Sequence, residues 1–331
     1  MSNSTATPDR LSVHLHQDDW KHHLADLTRT GLQEEQAWLP PVWFYDSRGS
    51  ELFDQITRLQ EYYPTRAERA ILERHAGEIM FLAAPHVMVE LGSGTSDKTR
   101  ALLAAGLAHG RLRSFIPLDC SQAPLQEAVA QLAAEYPSLE VQGLVADFNR
   151  QLHHVNDATA PGSRRMVSFL GSTIGNFTTT ERELFLREVA TTMRPGDTLL
   201  LGTDLVKERS RLREAYDDPA GVTAAFNLNA LQVLNDELGA DFETDWFEHR
   251  AVWDPQLGRI EMHLVSLTRQ EVRVEELELT RRFAPGEWIR SEISTKFRPG
   301  DVVAELRESG LRIVGQWFDD NRDFALTLAE L

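Results

Sequence analysis

Cysteine is almost absent from this sequence of 331 residues, in which Cys120 is the only one. A single thiol cannot close a disulfide within the chain and cannot supply a metal site built from several thiolates. Histidines are present, but those near the N-terminus and the pair His153-His154 lie in polar, weakly patterned segments, so we expect no metal ion. Long apolar runs are also missing, since no segment approaches the ~20 apolar residues that span a bilayer. We therefore expect no disulfide, no metal and no membrane partner.

Positive charge is scarce as well, with 34 Lys and Arg against 51 Asp and Glu and a formal net charge of −17. A chain without a stripe dense in Lys and Arg is repelled by phosphate backbones, so nucleic acid is not an expected partner. The N-terminal segment is polar and lacks the apolar core of a secretion signal. We expect a soluble, cytoplasmic, monomeric protein that acts on a small molecule.

The middle of the sequence alternates between short apolar runs and helical patterns, each run being bounded by glycine, proline or aspartate. The predicted strands are 87–91, 114–119, 141–145, 166–170 and 198–202, and the predicted helices are 66–80, 98–108, 122–135 and 180–193. Such alternation is typical of βαβ units. It predicts an α/β fold with a mostly parallel, Rossmann-like sheet that helices cover on both faces.

A different pattern follows Asp204. The predicted elements there are a helix carrying Leu228, Leu231, Leu234 and Leu238, a strand carrying Ile260, Met262 and Leu264, and an extended run over 271–279. They favour an inserted α+β region over a continuation of the same sheet. The last forty residues return to the earlier pattern, with a helix near 299–309 and strands over 311–317 and 324–328. We expect these strands to complete the sheet in antiparallel orientation.

The turn Gly92-Ser93-Gly94 lies where the first predicted strand passes into a helix. Glycines there let the backbone approach a ligand closely, and the start of the helix offers free N–H groups. A dinucleotide site has a third glycine where this sequence has Asp97, and an acid at that place disfavours a diphosphate. With Glu90 just before it, the turn fits better with a nucleoside that carries a positive charge, such as S-adenosylmethionine (SAM). A simple strand-to-helix turn remains the alternative.

Acidic residues also follow the next two strands. Asp119 ends the second strand, where a carboxylate can accept hydrogen bonds from ribose hydroxyls. Asp147 follows the third strand, where it can receive an adenine amino group beside the ring of Phe148. Ligands of open α/β sheets bind beyond the carboxyl ends of the strands. Because three neighbouring strand ends carry groups that can bind a nucleoside, the sequence favours a nucleoside site there. Each acid could instead cap a helix.

The segment 171–175, after the fourth strand, has the glycine spacing of a nucleophile elbow. Thr173 occupies the nucleophile position, however, and no Ser-x-Gly pair follows. We therefore interpret the segment as a loop bounded by glycines. In a methyl-transferring sheet this loop borders the place where methyl group and acceptor meet, which makes Asn176 a candidate contact for the acceptor.

Long segments of the chain resemble one known family. The matching segments are Trp43-Phe44-Tyr45-Asp46 with Gly49-Ser50 and Leu52-Phe53-Asp54, Tyr62-Tyr63-Pro64-Thr65-Arg66, and residues 90–98, 169–176, 201–207, 216–227 and 292–298. They resemble the SAM-dependent histidine Nα-methyltransferases of ergothioneine biosynthesis. The resemblance covers nearly the whole chain beyond about residue 30, and such scattered matches are far more specific than a glycine turn.

The resemblance implies a class I methyltransferase sheet with an inserted α+β substrate-binding domain. Residues 1–65 would then be the N-terminal part of the substrate-binding domain and 66–205 the SAM-binding core. Residues 206–297 would be the inserted domain, and 298–331 would complete the methyltransferase sheet.

The resemblance also implies roles for individual residues. The implied cofactor contacts are Tyr45, Gly92, Lys98, Asp119, Asp147 and Phe148. The implied contacts of the amino-acid head group are Tyr62, Asn176 and Tyr216, with Thr223 and Phe226 lining the pocket near the amine. The residues implied around the substrate side chain are Met262, Glu292 and Ser294. Our own hypothesis is that Tyr45 and Asn176 form the catalytic pair and orient the lone pair of the amine.

The residues themselves agree with an imidazole substrate. Glu292 and Ser294 are two positions apart in an extended stretch, so both face one side. A neutral imidazole offers one donor and one acceptor, which a carboxylate beside a hydroxyl can meet. Rings such as Tyr45 and Tyr62 suit the quaternary ammonium of a trimethylated product. Without the resemblance, each of these features has a simpler structural interpretation. Glu292 and Ser294 would lie on a solvent-facing polar strand, Met262 would point into the core, and the tyrosines would be core residues.

The implied function is SAM-dependent trimethylation of the α-amine of L-histidine, through its mono- and dimethyl forms, to hercynine. An Nα-methyltransferase for another amino acid such as tryptophan is the first alternative, and Glu292 argues against it because an aromatic specificity should remove the carboxylate. A nicotinamide-dependent oxidoreductase is the second, disfavoured by Asp97. A nucleoside-binding regulator without catalytic activity is the third.

Overall fold

The computed structural model of the protein describes residues 10–331. Residues 1–9, the beginning of the predicted segment 1–65, lie outside the described part. The strands are β1 (Leu11–Val13), β2 (Val87–Leu91), β3 (Ser114–Asp119), β4 (Glu140–Val141), β5 (Gly143–Val145), β6 (Arg165–Phe169), β7 (Thr198–Asp204), β8 (Phe247–Asp254), β9 (Arg259–Ser266), β10 (Gln270–Val274), β11 (Leu279–Phe283), β12 (Trp288–Thr295), β13 (Arg312–Phe318) and β14 (Phe324–Glu330).

Helices occupy most of the remaining described chain. They are α1 (Gln17–Gln33), α2 (Ser47–Arg58), α3 (Pro64–Ala83), α4 (Arg100–Ala108), α5 (Gln122–Glu135), α6 (His154–Asp157), α7 (Thr179–Thr192), α8 (Arg209–Tyr216), α9 (Val222–Leu238) and α10 (Pro299–Glu308). Short 3-10 turns are formed by Pro41–Phe44, Thr173–Asn176, Thr244–Trp246 and Glu275–Leu277. Between residues 10 and 331, no helix has both the length and the apolar character needed to cross a membrane.

The large sheet has the strand order β1-β5-β3-β2-β6-β7-β14-β13, with β4 also paired to β3. The strands from β1 to β7 pair in parallel. Strand β14 is antiparallel to β7, and β13 is antiparallel to β14. These pairings confirm the predicted α/β class and the predicted antiparallel completion.

The central strands of this sheet are buried on both faces. Every residue of β2 and of β7 is buried, as expected for parallel strands between two helical layers. The chain then turns sharply after β2, where Gly92 and Gly94 adopt φ values of +63° and +49°. Glycine tolerates this left-handed conformation because it has no Cβ, so the turn can open directly onto the edge of the sheet.

The prediction of one continuous extended run over 271–279 is wrong, because this segment contains the turn of a β-hairpin. Strand β10 ends at Val274, a 3-10 turn follows, and Glu278 at φ +49° directs the chain into β11. A left-handed glutamate gives no sequence signal of a turn, since such positions usually hold glycine or asparagine. The run predicted over 141–145 is likewise interrupted, at Gln142, between β4 and β5.

The first described strand belongs to the large sheet, although it lies within the segment 1–65 that was predicted to be part of the substrate-binding domain. Residues 11–13 form β1, which pairs in parallel with β5 at the outer edge of the large sheet. The contact is close, because a Cβ on Gly143 would stand 2.5 Å from Cδ2 of Leu11. Three residues are too few to show a strand period, so this pairing could not be predicted from the sequence pattern.

A hydrophobic cluster separate from the large sheet joins the segment before α3 to the region after α8. Phe44 and Tyr63 belong to it together with Phe226, Leu264 and Ile289. The antiparallel sheet β12-β9-β8 and the helix α9 supply nine of its 23 other buried members in the described chain. The connections to the large sheet run side by side, since Leu205 and Phe297 form a parallel bridge. The domain boundaries at 65, 205 and 297 remain predictions.

Candidate active site

The glycine turn after β2 and the end of β3 are hydrogen-bonded to each other. Asp119 accepts from the Gly94 amide at 3.1 Å and from the Ser121 amide at 3.0 Å. The ring of Phe148 lies 3.6 Å from the place where a Cβ on Gly92 would stand. The structure thus brings Gly92, Asp119 and Phe148 together at the carboxyl edge of the parallel strands.

Asp147 directly precedes Phe148 at the same edge. It is buried, it accepts a hydrogen bond from the Asn149 amide at 2.9 Å, and its own amide donates to Gln151 Oε1 at 3.0 Å. Burial raises the pKa of Asp147, although the bond from Asn149 opposes the rise. A buried carboxylate in this position is available to an amino group of a ligand.

Glu90 stabilises the loop that follows the glycine turn. Its carboxylate accepts from the Ser96 hydroxyl at 2.9 Å and from the Thr99 hydroxyl. Burial raises the pKa of Glu90 to about 7, with the two hydroxyls acting against it. Glu90 therefore holds the shape of the loop through its neighbours, and its charge is weaker than the sequence interpretation assumed.

Lys98 is held by a carboxylate that the sequence interpretation did not identify. Its ammonium forms an ion pair with Glu68, whose side chain is fully buried. The other oxygen of Glu68 accepts from the Gly171 amide at 2.7 Å. Glu68 therefore connects the cofactor loop to the loop after β6, and it fixes the Lys98 ammonium between them.

The residues at this edge fit SAM. The hydroxyl of Ser93 is buried and has no hydrogen-bond partner among the described residues, so it is free to pair with a ligand. A Cβ on Gly94 would meet no atom within 4 Å, which leaves space in front of the turn. Asp119 and Asp147 offer carboxylates that can accept hydrogen bonds from hydroxyl and amino groups of the ligand. Lys98 offers an ammonium to its carboxylate, and the ring of Phe148 offers a surface to its nucleobase.

Aromatic side chains form a continuous group in and beside the hydrophobic cluster that joins the segment before α3 to the region after α8. The group consists of Tyr45, Phe53, Tyr62, Tyr216 and Phe226, and we call it the aromatic wall. Ring centroids are 5.9 Å apart for Tyr45 and Phe226, 6.3 Å for Phe53 and Tyr62, and 6.0 Å for Tyr62 and Tyr216. The structure therefore brings together four predicted site residues, and it adds Phe53, which joins them.

The three phenols of this wall stay protonated at neutral pH. Burial raises the pKa of Tyr45, Tyr62 and Tyr216 well above the usual value, and the nearby Glu292 carboxylate raises each of them further. Tyr45 is nonetheless 45% exposed as a residue, which fits a ring that borders open space. Each of these phenols can therefore donate a hydrogen bond at neutral pH but cannot serve as a base.

Glu292 lies on β12, where the register places it opposite Met262 on β9. Burial raises the pKa of Glu292 to about 7, although Lys296 acts in the opposite direction. Two positions further along, the Ser294 hydroxyl lies 2.9 Å from that of Tyr216. The carboxylate and the hydroxyl of β12 thus lie on one face, beside the aromatic wall.

The remaining predicted contacts lie on either side of this face. Thr223 and Phe226 lie in the first two turns of α9, where the Thr223 amide donates to Asp218 at 2.7 Å. Asn176 ends a 3-10 turn that packs tightly on β12, since a Cβ on Gly175 would stand 2.8 Å from the carbonyl oxygen of Thr295. Asn176 is therefore held beside the strand that carries Glu292.

A buried cluster of charges, absent from the sequence interpretation, lies behind Ser294 and Tyr216. Asp204, at the end of β7, pairs with Lys296 at 2.9 Å and with Lys207 at 2.5 Å. The hydroxyl of Tyr63 also reaches both carboxylate oxygens of Asp204, at 2.8 and 2.9 Å. Within residues 10–331, no group of three or more His, Cys, Asp or Glu side chains is arranged to hold a metal ion.

The chain is similar in sequence to known methyltransferases. A family model described as "Histidine-specific methyltransferase, SAM-dependent" matches residues 24–331. The Histidine N-alpha-methyltransferase of Mycolicibacterium smegmatis is 51% identical over 319 residues, which are 96% of this chain and 98% of that protein. The protein of the same name from Mycobacterium tuberculosis is 50% identical and covers 97% of this chain and 99% of its own length.

A fungal relative is more distant and longer. The Ergothioneine biosynthesis protein 1 of Schizosaccharomyces pombe is 30% identical over 300 residues, which cover 88% of this chain and 38% of that protein. The similarity to the two bacterial proteins extends over nearly the whole length of both partners, whereas the fungal protein matches only through one part.

Proposed function

The chain belongs to the family of SAM-dependent, histidine-specific methyltransferases, and on this premise we propose that it methylates the α-amine of L-histidine. The observation that supports histidine as the substrate is that Glu292 and Ser294 lie on one face of β12, beside the neutral phenols of the aromatic wall. An acceptor and a donor side by side match the two nitrogens of an imidazole.

SAM is the cofactor of the family. We propose that Gly92, Asp119, Asp147 and Phe148 hold its nucleoside and that Lys98 holds its carboxylate, with Tyr45 at the reacting end. When bound, SAM supplies a methyl group on a positively charged sulfur. The hydrogen bond from the Gly94 amide to the Asp119 carboxylate keeps the nucleoside site in shape before the ligand arrives.

The protein's own part in the reaction is to hold the amine. Tyr62, Asn176 and Tyr216 would bind the amino-acid head group, and Tyr45 and Asn176 would direct the nitrogen lone pair toward the methyl carbon. Positioning of this kind can account for a large share of a barrier. Because burial keeps the phenols protonated, the proton released by the amine leaves through water. Per transfer, a nitrogen–carbon bond forms, a carbon–sulfur bond breaks, and S-adenosylhomocysteine and one proton are released.

Three successive transfers would convert histidine to hercynine, the trimethylated form. The amine then grows into a bulky cation, for which the wall near it must be uncharged. Thr223 and Phe226 meet this requirement, and aromatic rings attract a quaternary ammonium. The name of the fungal relative places that protein in ergothioneine biosynthesis, and we propose that hercynine made here serves the same pathway.

The proposal extends to the organisation of the protein. We propose that 66–205 with 298–331, together with β1, form the cofactor-binding domain, and that the rest of the described chain up to residue 65 joins 206–297 in the substrate-binding domain. The shared hydrophobic cluster of these two segments supports this division. We further propose a cytoplasmic monomer, in line with a single cysteine and a net charge of −17.

A transfer assay with isotope-labelled methyl groups tests the function. The purified protein is given labelled SAM with histidine or tryptophan in parallel reactions, and products are separated by mass. We expect label in mono-, di- and trimethylhistidine and none in tryptophan. Label in tryptophan alone would support the other amino-acid specificity, and label in neither would overturn the proposal.

A further inference from the structure

Lys296 follows β12 directly and is the most buried ammonium of the site, with a side chain that is 0% exposed. Its nitrogen donates to the Tyr216 hydroxyl at 2.7 Å and to the Ser294 hydroxyl at 2.8 Å. The third partner is Asp204, at 2.9 Å. Since an ammonium has three N–H donors and no acceptor, these three contacts use all of them.

The contacts of Lys296 determine what the two hydroxyls can do. Both oxygens accept from the ammonium, and they lie 2.9 Å apart, so one hydroxyl donates to the other. Two hydroxyls carry two hydrogens, which leaves one O–H without a use inside the cluster. That O–H is a donor beside Glu292, which is an acceptor when ionised.

The charge of Lys296 acts in the same direction. Burial alone would raise the pKa of Asp204, but Lys296 and Lys207 overcome this and hold it below its usual range. Asp204 is therefore an anion shared by two ammonium groups. Burial also raises the pKa of Glu292, and Lys296 is the group that opposes the rise. The buried cation thus favours the ionised, accepting form of Glu292.

The position of Lys296 is set by the large sheet. The amide of Phe297 donates to the Asp204 carbonyl at 2.8 Å, and the amide of Val206 donates to the Phe297 carbonyl at 3.0 Å. The chain leaving β7 and the chain leaving β12 are therefore tied together beside the ion pair. The ammonium cannot shift without moving the end of a central strand.

We propose that Lys296 is a positioning residue for substrate specificity: by holding the Tyr216 and Ser294 hydroxyls as acceptors, it leaves one hydroxyl donor beside Glu292, and this donor–acceptor pair recognises the ring of the substrate. The inference rests on the proposed function, because it concerns how the imidazole of histidine is bound. Lys296 touches neither ring nor cofactor itself, and it acts through Ser294 and Tyr216.

The chain offers a matched control in Lys207. It also pairs with Asp204, and it also contacts a tyrosine, Tyr63, at 2.6 Å. It has no contact with Tyr216 or Ser294 among the described residues. Lys296→Met and Lys207→Met therefore each remove one positive charge from beside the same carboxylate. Only Lys296→Met also removes the donor to the Tyr216 and Ser294 hydroxyls.

The test compares kcat and the KM for histidine in the two variants at saturating SAM, with S-adenosylhomocysteine affinity as the measure of folding. We expect Lys296→Met to raise the KM by about 10- to 100-fold, as for loss of a charged hydrogen bond, with a smaller effect on kcat. Lys207→Met should leave the KM within about threefold. In a Ser294→Ala background, Lys296→Met should cost much less, because the two residues act as one unit.

Equal KM values for the two methionine variants would overturn the inference, as would additive effects of Ser294→Ala and Lys296→Met. If Lys296→Met does not bind S-adenosylhomocysteine, Lys296→Gln takes its place, because it removes the charge and leaves only two N–H donors for the three partners. A folded Lys296→Gln with an unchanged KM would equally overturn the inference. Failure of the wild-type protein to methylate histidine would instead overturn the proposed function, so the two failures are distinct.

Discussion

Glu292 stands directly opposite Met262 in the antiparallel pairing of β12 with β9. Residues opposite each other in such a pair have their side chains on the same face and in contact range. A carboxylate is therefore placed against an apolar thioether in a buried part of the sheet. This neighbourhood explains why burial raises the pKa of Glu292 to about 7, and it indicates a carboxylate kept for binding and not for stability.

The first prediction concerns Glu292→Gln, which should stabilise the free protein at alkaline pH. The pKa of Glu292 is about 7 in the folded protein against an ordinary value of 4.5, so the folded state binds the proton more tightly. Folding stability from this group is therefore lost as the pH rises from about 4.5 to 7. A glutamine lacks this penalty, which we expect to be about 1–3 kcal/mol above pH 7.

Thermal unfolding at pH 5.5 and pH 8, without ligand, checks this prediction. The gain of Glu292→Gln over the wild type should be larger at pH 8, while histidine binding becomes weaker. Glu214 is exposed on α8, and Glu214→Gln should give the same difference from the wild type at both pH values. A Glu292→Gln variant less stable than the wild type at pH 8 would contradict the pKa argument.

The second prediction separates two serines of the cofactor loop. The buried hydroxyl of Ser93 has no partner within residues 10–331, whereas the Ser96 hydroxyl donates to the buried Glu90 at 2.9 Å. Removing an unpaired buried hydroxyl relieves a desolvation cost of about 1 kcal/mol, and removing a paired one leaves the partner unsatisfied. Ser93→Ala should therefore raise the melting temperature and weaken S-adenosylhomocysteine binding, and Ser96→Ala should lower the melting temperature.

Calorimetric unfolding and titration of both variants provide the measurements. The opposite signs on stability are the diagnostic result, because both changes remove the same group from the same loop. If Ser93→Ala binds S-adenosylhomocysteine as tightly as the wild type, its hydroxyl does not contact the cofactor.

The third prediction is that Glu68→Gln weakens cofactor binding through Lys98. The Glu68 carboxylate is fully buried and pairs with Lys98, which is 25% exposed. Loss of a buried partner leaves the ammonium without compensation and free to change its position. We expect about a tenfold loss of S-adenosylhomocysteine affinity, with the histidine KM unchanged at saturating SAM.

A double-mutant cycle with Lys98→Met measures the coupling of the two residues. Asp320→Asn breaks an exposed ion pair with Arg74 and should change neither affinity nor KM, since such pairs contribute about 0–1 kcal/mol. Additive losses in Glu68→Gln and Lys98→Met would mean that Glu68 does not act through Lys98.

The edge of the parallel sheet was predictable because its signals are local. Strand β3 ends at Asp119 and helix α5 begins at Gln122, as the sequence indicates, since apolar runs, glycines and acids mark such boundaries over a few residues. The hairpin β10-β11 was not predictable in the same way. Its turn depends on Glu278 in a left-handed conformation, which no common turn residue announces.

The buried charges escaped prediction because their partners lie far apart in the chain. Tyr216 and Lys296 are 80 positions apart, and Glu68 and Lys98 are 30 apart. A single lysine or glutamate in a sequence is normally a surface residue, and only the folded sheet shows that these groups are paired in the interior. The family resemblance supplied the residues that we propose to touch ligands, whereas the residues that hold them in place required the structure.

The last prediction concerns the glycine that lets Asn176 approach β12. A Cβ on Gly175 would stand 2.8 Å from the Thr295 oxygen and 3.3 Å from its nitrogen, both of them backbone atoms that cannot rotate away. Gly175→Ala must therefore push the 3-10 turn off the strand and move Asn176 away from the substrate face. Such overpacking costs about 1–3 kcal/mol, and we expect the histidine KM to rise at least tenfold while S-adenosylhomocysteine still binds.

Two variants isolate this effect. Gly300→Ala lies in the first turn of α10, where a Cβ meets no atom within 4 Å, so it should leave the KM unchanged and stabilise the protein slightly. Asn176→Ala should raise the KM as steeply as Gly175→Ala but without the loss of stability, because it removes the contact and keeps the backbone in place. An unchanged KM in Asn176→Ala would remove Asn176 from the head-group site. In that case the effect of Gly175→Ala would have to come from β12 itself, through Thr295 and the adjacent Ser294.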